Sequence, residues 1–202
     1  MILYDYLDSG NGYKVRLLLA QTRRPYRWEE LDILQGSTRT AGFLAKNPNG
    51  RIPTLELDDG TCLAESNAIL WYLADGTPYL PAGQLERAQV LQWMFFEQYS
   101  HEPYVATPRF IVKHLPQDSP RRAELPKRLE QGHAALAVME SHLSSRPFFV
   151  AGRYSIADIA LYAYTHVAHE GQLELKPYPM VRAWLARVAS QPGYVPLTAR
   201  PG

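Results

Sequence analysis

The sequence predicts two domains of unlike class: an α/β domain over residues 1–76 and an all-α domain over residues 85–202, joined by a linker at 77–84. Three observations carry this reading. Strand-like and helix-like segments alternate along the first part of the chain in the order β-α-β-(α)-β-β-α. The stretch Gly76-Thr77-Pro78-Tyr79-Leu80-Pro81 then breaks the pattern with two prolines. Beyond it, only helical periodicity recurs.

The elements follow in order. Ile2 to Tyr6 is β-branched and aromatic and reads as a strand. Asp8-Ser9-Gly10-Asn11-Gly12 is turn-forming. Tyr13 to Gln21 reads as a helix with Val15, Leu18 and Leu19 on one face. Arg27 to Ile33 is a second strand, and Gln35 to Lys46 is irregular with a short helix. After the turn Asn47-Pro48-Asn49-Gly50, two strands flank Asp58-Asp59-Gly60 as a hairpin. Ser66 to Ala74 is a helix with Ile69, Leu70 and Leu73 inward. The βαβ part implies a parallel pair with a right-handed crossover, and the hairpin adds antiparallel strands.

In the second half, Leu85 to His114 is helical, bent or interrupted near Pro103 and Pro108. Leu125, Leu129, Gly132, Leu136, Met139 and Leu143 form a packing stripe, in which Gly132 lets a neighbour approach closely. Ser155-Ile156-Ala157-Asp158 has the spacing of a capping box, with Asp in place of the usual Glu or Gln. Loss of Asp158 should then cost ~1 kcal/mol, the ordinary scale of a cap. A last helix starts near Pro179.

Composition narrows the function. With 46% hydrophobic residues among 202, the chain can bury a sizeable core. Its 21 basic and 20 acidic residues balance, which speaks against nucleic acid or an anionic membrane as the main partner. One cysteine excludes a disulfide framework, a CxxC redox pair and a zinc ribbon. No signal segment or membrane-length apolar run is visible, so a cytoplasmic protein is expected. His166 and His169 have a spacing a metal can use, but no third ligand stands out, and no metal is expected.

Three places carry candidate chemistry. Ile52-Pro53 precedes the third strand, either as a cis peptide that leaves the Ile52 main chain to pair with a peptide ligand or as a trans proline at a strand start. Glu65-Ser66 opens a helix, either as a simple cap or as a holder for the carboxylate and ammonium of an amino-acid head group. Ser9-Gly10-Asn11-Gly12 lies at the carboxyl end of the first strand, where ligands of open α/β layers sit. Two donors there, Ser9 and Asn11, have the scale to lower the pKa of a bound thiol by one to two units from ~8.5.

Taken in order, SGNGYKVRLLLA, NPNGRIPTLEL, the Glu65-Ser66 pair in LAESNAILWYLA, and SIADIALYAY resemble the soluble glutathione S-transferase family over nearly the whole chain. The resemblance implies a thioredoxin-like first domain, a helical second domain and a homodimer. It implies glutathione as cosubstrate. Ile52-Pro53 would be the cis-proline site facing the cysteinyl backbone, Glu65 and Ser66 would hold the γ-glutamyl end, and Arg51 and, more loosely, Gln35 the glycyl carboxylate. It is similar to a bacterial subgroup in which Ser9 and Asn11 would face the sulfur, with Tyr6 as the alternative phenol. Cys62, in an apolar run, reads as a small hydrophobe. His101, Tyr104 and Arg109 are the acceptor-site candidates. The expected reaction is conjugation of the glutathione thiolate to a small hydrophobic electrophile, or reduction of a disulfide. Two alternatives accompany it. One is a non-catalytic ligand- or protein-binding module. The other is an isomerase or dehalogenase, although the Ser-Ser-Cys opening typical of the isomerase branch is absent.

Overall fold

The structure, a computed structural model, describes residues 1–201; Gly202, the last residue of the expected helical domain, lies outside them. Contacts divide the chain into two units, Met1–Pro78 together with the residues from Pro192 onward, and Tyr79–Gln191.

The first unit is built on a four-stranded sheet in the order β2-β1-β3-β4. Strand β1 (Ile2–Asp5) pairs in parallel with β2 (Arg27–Glu30) and antiparallel with β3 (Thr54–Glu56). Strand β3 pairs antiparallel with β4 (Cys62–Ala64), which completes the expected hairpin. Helix α1 (Gly10–Thr22) is the crossover between the parallel strands; α2 (Ala41–Leu44) is a single turn, and α3 (Ser66–Ala74) packs on α1.

Two boundaries moved for identifiable reasons. Helix α1 starts three residues before the expected Tyr13 because the Ser9 hydroxyl accepts from the Gly12 amide and caps the turn. The segment from Pro192 belongs to the first unit, so the expected 85–202 domain is too long at its end. Tyr13 Oη donates to the Val195 carbonyl at 2.8 Å, and Arg16 Nη1 donates to the Leu197 carbonyl at 2.8 Å. Leu197 is buried with them. This extra cover explains why Gly12 through Leu19 are buried all round, where a single inward face was expected.

Arg16 also closes an internal ion pair with Asp5, Nε to Oδ2 at 2.9 Å, both side chains essentially unexposed. The same carboxylate accepts from the Tyr6 amide. Burial pushes Asp5 up from 3.8, the Arg16 charge pulls it back, and it settles at about 6. Gly12 makes room for this pair, since a Cβ there would overlap the Asp5 carboxylate at 1.5 Å from Oδ1. The pair thus pins the loop between β1 and α1 from below.

The second unit is helical: α4 (Gln84–Phe96), α5 (Glu102–His114), α6 (Leu125–Leu143), α7 (Ile156–Thr165) and α8 (Pro179–Ala189). The break between α4 and α5 is a π-helical turn at Glu97–His101, just ahead of Pro103, whose missing N–H removes a bond to the carbonyl four residues back. Gly132 of α6 meets α5 closely; a Cβ there would lie 2.7 Å from the Tyr104 carbonyl oxygen. The capping box forms at the start of α7, all ten of whose residues are buried. Among the described residues, no helix is long and apolar enough to cross a membrane.

Candidate active site

The main candidate residues of the first unit come from three chain segments, with Gln35 on a fourth. Ser9 caps α1, and its oxygen is occupied as an acceptor from Gly12 at 3.3 Å. A hydroxyl that accepts in a cap keeps its own proton to donate elsewhere. Ser9 is half-buried, and so is Asn11 in the first turn of the same helix.

The third segment is the start of α3. Glu65 is exposed and sits at φ 68°, ψ 114°, a conformation an L-residue rarely adopts. Its side chain makes no capping hydrogen bond to this helix. The first amides of any helix have no partner in their own ladder, and they carry a partial positive charge. Ser66 is buried, and its hydroxyl donates to Asn11 Oδ1 at 3.2 Å. That contact joins the first turn of α1 to the start of α3, which the sequence separates by 55 residues. It also corrects one detail. The Ser66 hydroxyl proton is directed at Asn11, so the donors α3 offers an anion are main-chain amides.

The peptide Ile52-Pro53 is cis, which resolves the choice the residues left open. The loop before it is held by Asn47, whose Nδ2 donates to the Arg51 carbonyl at 2.8 Å and to Thr54 Oγ1 at 3.2 Å. The Arg51 side chain is exposed. Gln35 is exposed too, and its Nε2 donates to Asp32 Oδ2 at 2.9 Å.

The other candidate nucleophile and phenols have different surroundings. Tyr6 lies just past the end of β1 and is half-buried. Tyr4 is used structurally, its hydroxyl donating to Glu56 Oε2 at 2.7 Å, and burial and that carboxylate raise its pKa. The Cys62 thiol is raised as well, by burial first and then by Glu56, which is the opposite of what a nucleophile needs.

In the second unit the three acceptor-site candidates separate. His101 is fully buried, with Nε2 at 2.9 Å from Thr165 Oγ1. Thr165 gives its own proton to the Leu161 carbonyl, so His101 is the donor in that contact. Arg109 is buried and paired with Glu170, Nε to Oε2 at 2.9 Å. Both side chains are thus engaged inside the helical unit, and only Tyr104 is half-buried. His166 stacks on Tyr162 with centroids 4.6 Å apart. No group of acidic, histidine or cysteine side chains suited to a metal occurs among the described residues.

Sequence reasoning passed over Lys14. It is fully buried, with Nζ 3.3 Å from Ser66 Oγ. The signal was a pair of cations, Lys14 and Arg16, inside an otherwise apolar helix.

A mixed four-stranded sheet with a cis-proline before β3, in a chain that continues into a helical unit, defines the thioredoxin-like two-domain class to which glutathione transferases belong. Family models agree. Residues 1–75 match the glutathione S-transferase N-terminal domain and residues 93–192 the C-terminal domain, so the chain belongs to the glutathione S-transferase family. A glutathione S-transferase structure from Pseudomonas fluorescens is 56% identical, covers 98% of each chain and superposes with a TM-score of 0.94. The disulfide-bond oxidoreductase YfcG of Escherichia coli is 30% identical over 199 residues, 95% of this chain and 92% of that protein. A Burkholderia graminis glutathione transferase, 28% identical with a TM-score of 0.83 over 95% of this chain and 84% of that one, has two glutathione molecules bound per subunit. The chain also aligns over 203 residues at 31% identity with elongation factor 1-gamma of Danio rerio; this is 95% of the chain but only 44% of that protein.

Proposed function

We propose that this protein binds glutathione in its first unit and activates the thiol for transfer to a small hydrophobic electrophile or for disulfide reduction. The observation that carries the proposal is the Ser66-to-Asn11 hydrogen bond, which joins the start of α3 to the first turn of α1. Glu65 and the first amides of α3 hold the γ-glutamyl ammonium and carboxylate. The Ile52 main chain, ahead of Pro53, pairs with the cysteinyl residue. Arg51 and Gln35, both exposed, serve the glycyl carboxylate. The sulfur then lies at the turn before α1, where the Ser9 hydroxyl and the Asn11 amide donate to it.

Hydrogen bonds to the charged form favour the thiolate. The thiolate attacks an electrophilic carbon and displaces its leaving group. With a disulfide, it attacks one sulfur, forms a mixed disulfide and releases the other sulfur as a thiolate. No protein nucleophile is needed, because the cosubstrate brings one. Tyr104 is the acceptor-side residue we favour, with His101 and Arg109 holding its helix in place.

The protein works in the cytoplasm as a homodimer. Large apolar side chains left on the surface of the second unit support the dimer: Leu85 is 71% exposed, Phe95 69% and Tyr99 83%.

Ultraviolet titration of the bound glutathione thiol tests the site. Ser9→Ala and Asn11→Ala should each raise its pKa by roughly one unit. An unchanged value in both variants would remove the assignment. The match to elongation factor 1-gamma favours a second reading, a module that binds without catalysing. Turnover of neither a haloarene nor a glutathione mixed disulfide, in a protein that retains glutathione, would establish it.

A further inference from the structure

We propose that Lys14 is a positioning residue for the thiol chemistry, orienting the Asn11 amide through Ser66; this rests on Asn11 being a thiolate donor. The chain of contacts is short and has one direction. Lys14 Nζ lies 3.3 Å from Ser66 Oγ, and Ser66 Oγ lies 3.2 Å from Asn11 Oδ1. An ammonium donates and has no lone pair to accept with. Ser66 Oγ therefore accepts from Lys14, and its single proton goes to the next partner. That partner is the Asn11 carbonyl oxygen. With the oxygen held on that side, the amide NH₂ faces the other way, toward the sulfur site proposed above.

The position of Lys14 needs an account, because lysine is among the residues least often fully buried. A buried ammonium is costly unless acceptors meet it. An apolar side chain would fill the same place on α1, next to Tyr13 and Val15, without that cost. What the ammonium adds is the polarity of the Ser66 hydroxyl. Without it, Ser66 can accept from Asn11 Nδ2. An amide turned that way presents its oxygen to the sulfur, which repels a thiolate.

The test compares Lys14→Met, Lys14→Arg, Ser66→Ala and Asn11→Ala with the wild-type protein. Two quantities are measured: the pKa of the bound glutathione thiol, and the affinity for S-methylglutathione, which has no thiol. Lys14→Met should raise the thiol pKa by about one unit and lower kcat at neutral pH about tenfold. Its affinity for S-methylglutathione should change less than about threefold, and Lys14→Arg should restore most of the pKa shift. A merely structural lysine would not move the pKa while sparing that affinity. A folded Lys14→Met with an unchanged thiol pKa overturns the proposal. If Lys14→Met does not fold, Ser66→Ala decides by the same readout: a raised pKa supports the relay and an unchanged one overturns it. The site assignment and the role of Lys14 separate cleanly. An ordinary thiol pKa in the wild-type complex removes both readings. A shift in Asn11→Ala without one in Lys14→Met removes only the role of Lys14.

Discussion

Helices α3 and α7 both begin with donors that the helix itself cannot satisfy, and the two ends are treated in opposite ways. At α7 the chain closes the end itself. Asp158 is fully buried and accepts from the Ser155 amide at 3.0 Å, Ser155 Oγ at 3.1 Å, the Phe149 amide at 3.2 Å and Trp184 Nε1 at 2.9 Å. At α3 the residue before the helix, Glu65, makes no capping bond and is exposed in an unfavourable backbone conformation. Closing an end stabilises the fold. An open end in a strained setting costs stability and leaves donors for a ligand. The contrast separates a polar cluster closed on itself from one left open, without reference to any relative.

The largest effect expected from this contrast is at Asp158. Sequence spacing suggested a cap worth ~1 kcal/mol, but the carboxylate also ties α7 to Phe149 and to Trp184 of α8. Removing it strands four buried donors. Asp158→Ala should therefore cost about 3 kcal/mol or more by urea denaturation, with glutathione affinity of the folded protein unchanged. A loss near 1 kcal/mol would reduce the cluster to an ordinary cap.

The second effect is a dependence on pH whose sign runs against the usual acid lability of carboxylates. Burial raises Asp158 from 3.8 to about 6, against the pull of Trp184, Phe149 and Ser155. The folded protein therefore binds a proton that the unfolded chain has already released between pH about 4 and 6. The contribution of this group is greatest below pH about 4 and declines as pH rises through 6. Compared with Asp158→Asn, the wild-type protein should lose roughly 1–3 kcal/mol of relative stability between pH 4 and 6.5, then level off. Thermal melts of both proteins across that range check it. A constant gap, or one that moves the other way, would mean the four donors outweigh burial.

How much of this was legible beforehand follows from where the physics is local. Strand β1, the hairpin around Asp59 and the capping box at Ser155 came from composition and spacing, because turns and caps are decided within a few residues. The return of the segment from Pro192 to the first unit was not legible. It depends on Tyr13 and Arg16 reaching main-chain carbonyls more than 180 residues away. Ser9, Asn11, Pro53 and Glu65 stood out from turn, proline and helix-start chemistry, a resemblance gave them roles, and the structure then gave them a geometry. Lys14 was missed because a lysine in a helix ordinarily reads as a solvated charge. Its meaning lies in Ser66, 52 residues on. His101 and Arg109, put forward on the resemblance, are engaged by Thr165 and Glu170, contacts that lie 61 or more residues away in the chain.

The smallest expected effect is also the most direct comparison of the two ends. Glycine accepts φ near 68° without strain, so Glu65→Gly relieves the backbone while removing the carboxylate. If the open end of α3 exists for a ligand, the variant should be as stable as the wild-type protein or up to ~1 kcal/mol more stable. Its affinity for glutathione should fall about tenfold, the loss of one charge-assisted contact at an exposed site. Calorimetric titration and denaturant unfolding read the two quantities on the same samples. A variant that loses stability and keeps its affinity would place Glu65 with Asp158, as part of the scaffold. The opposite movement of stability and binding is the outcome that a purely structural helix start cannot produce.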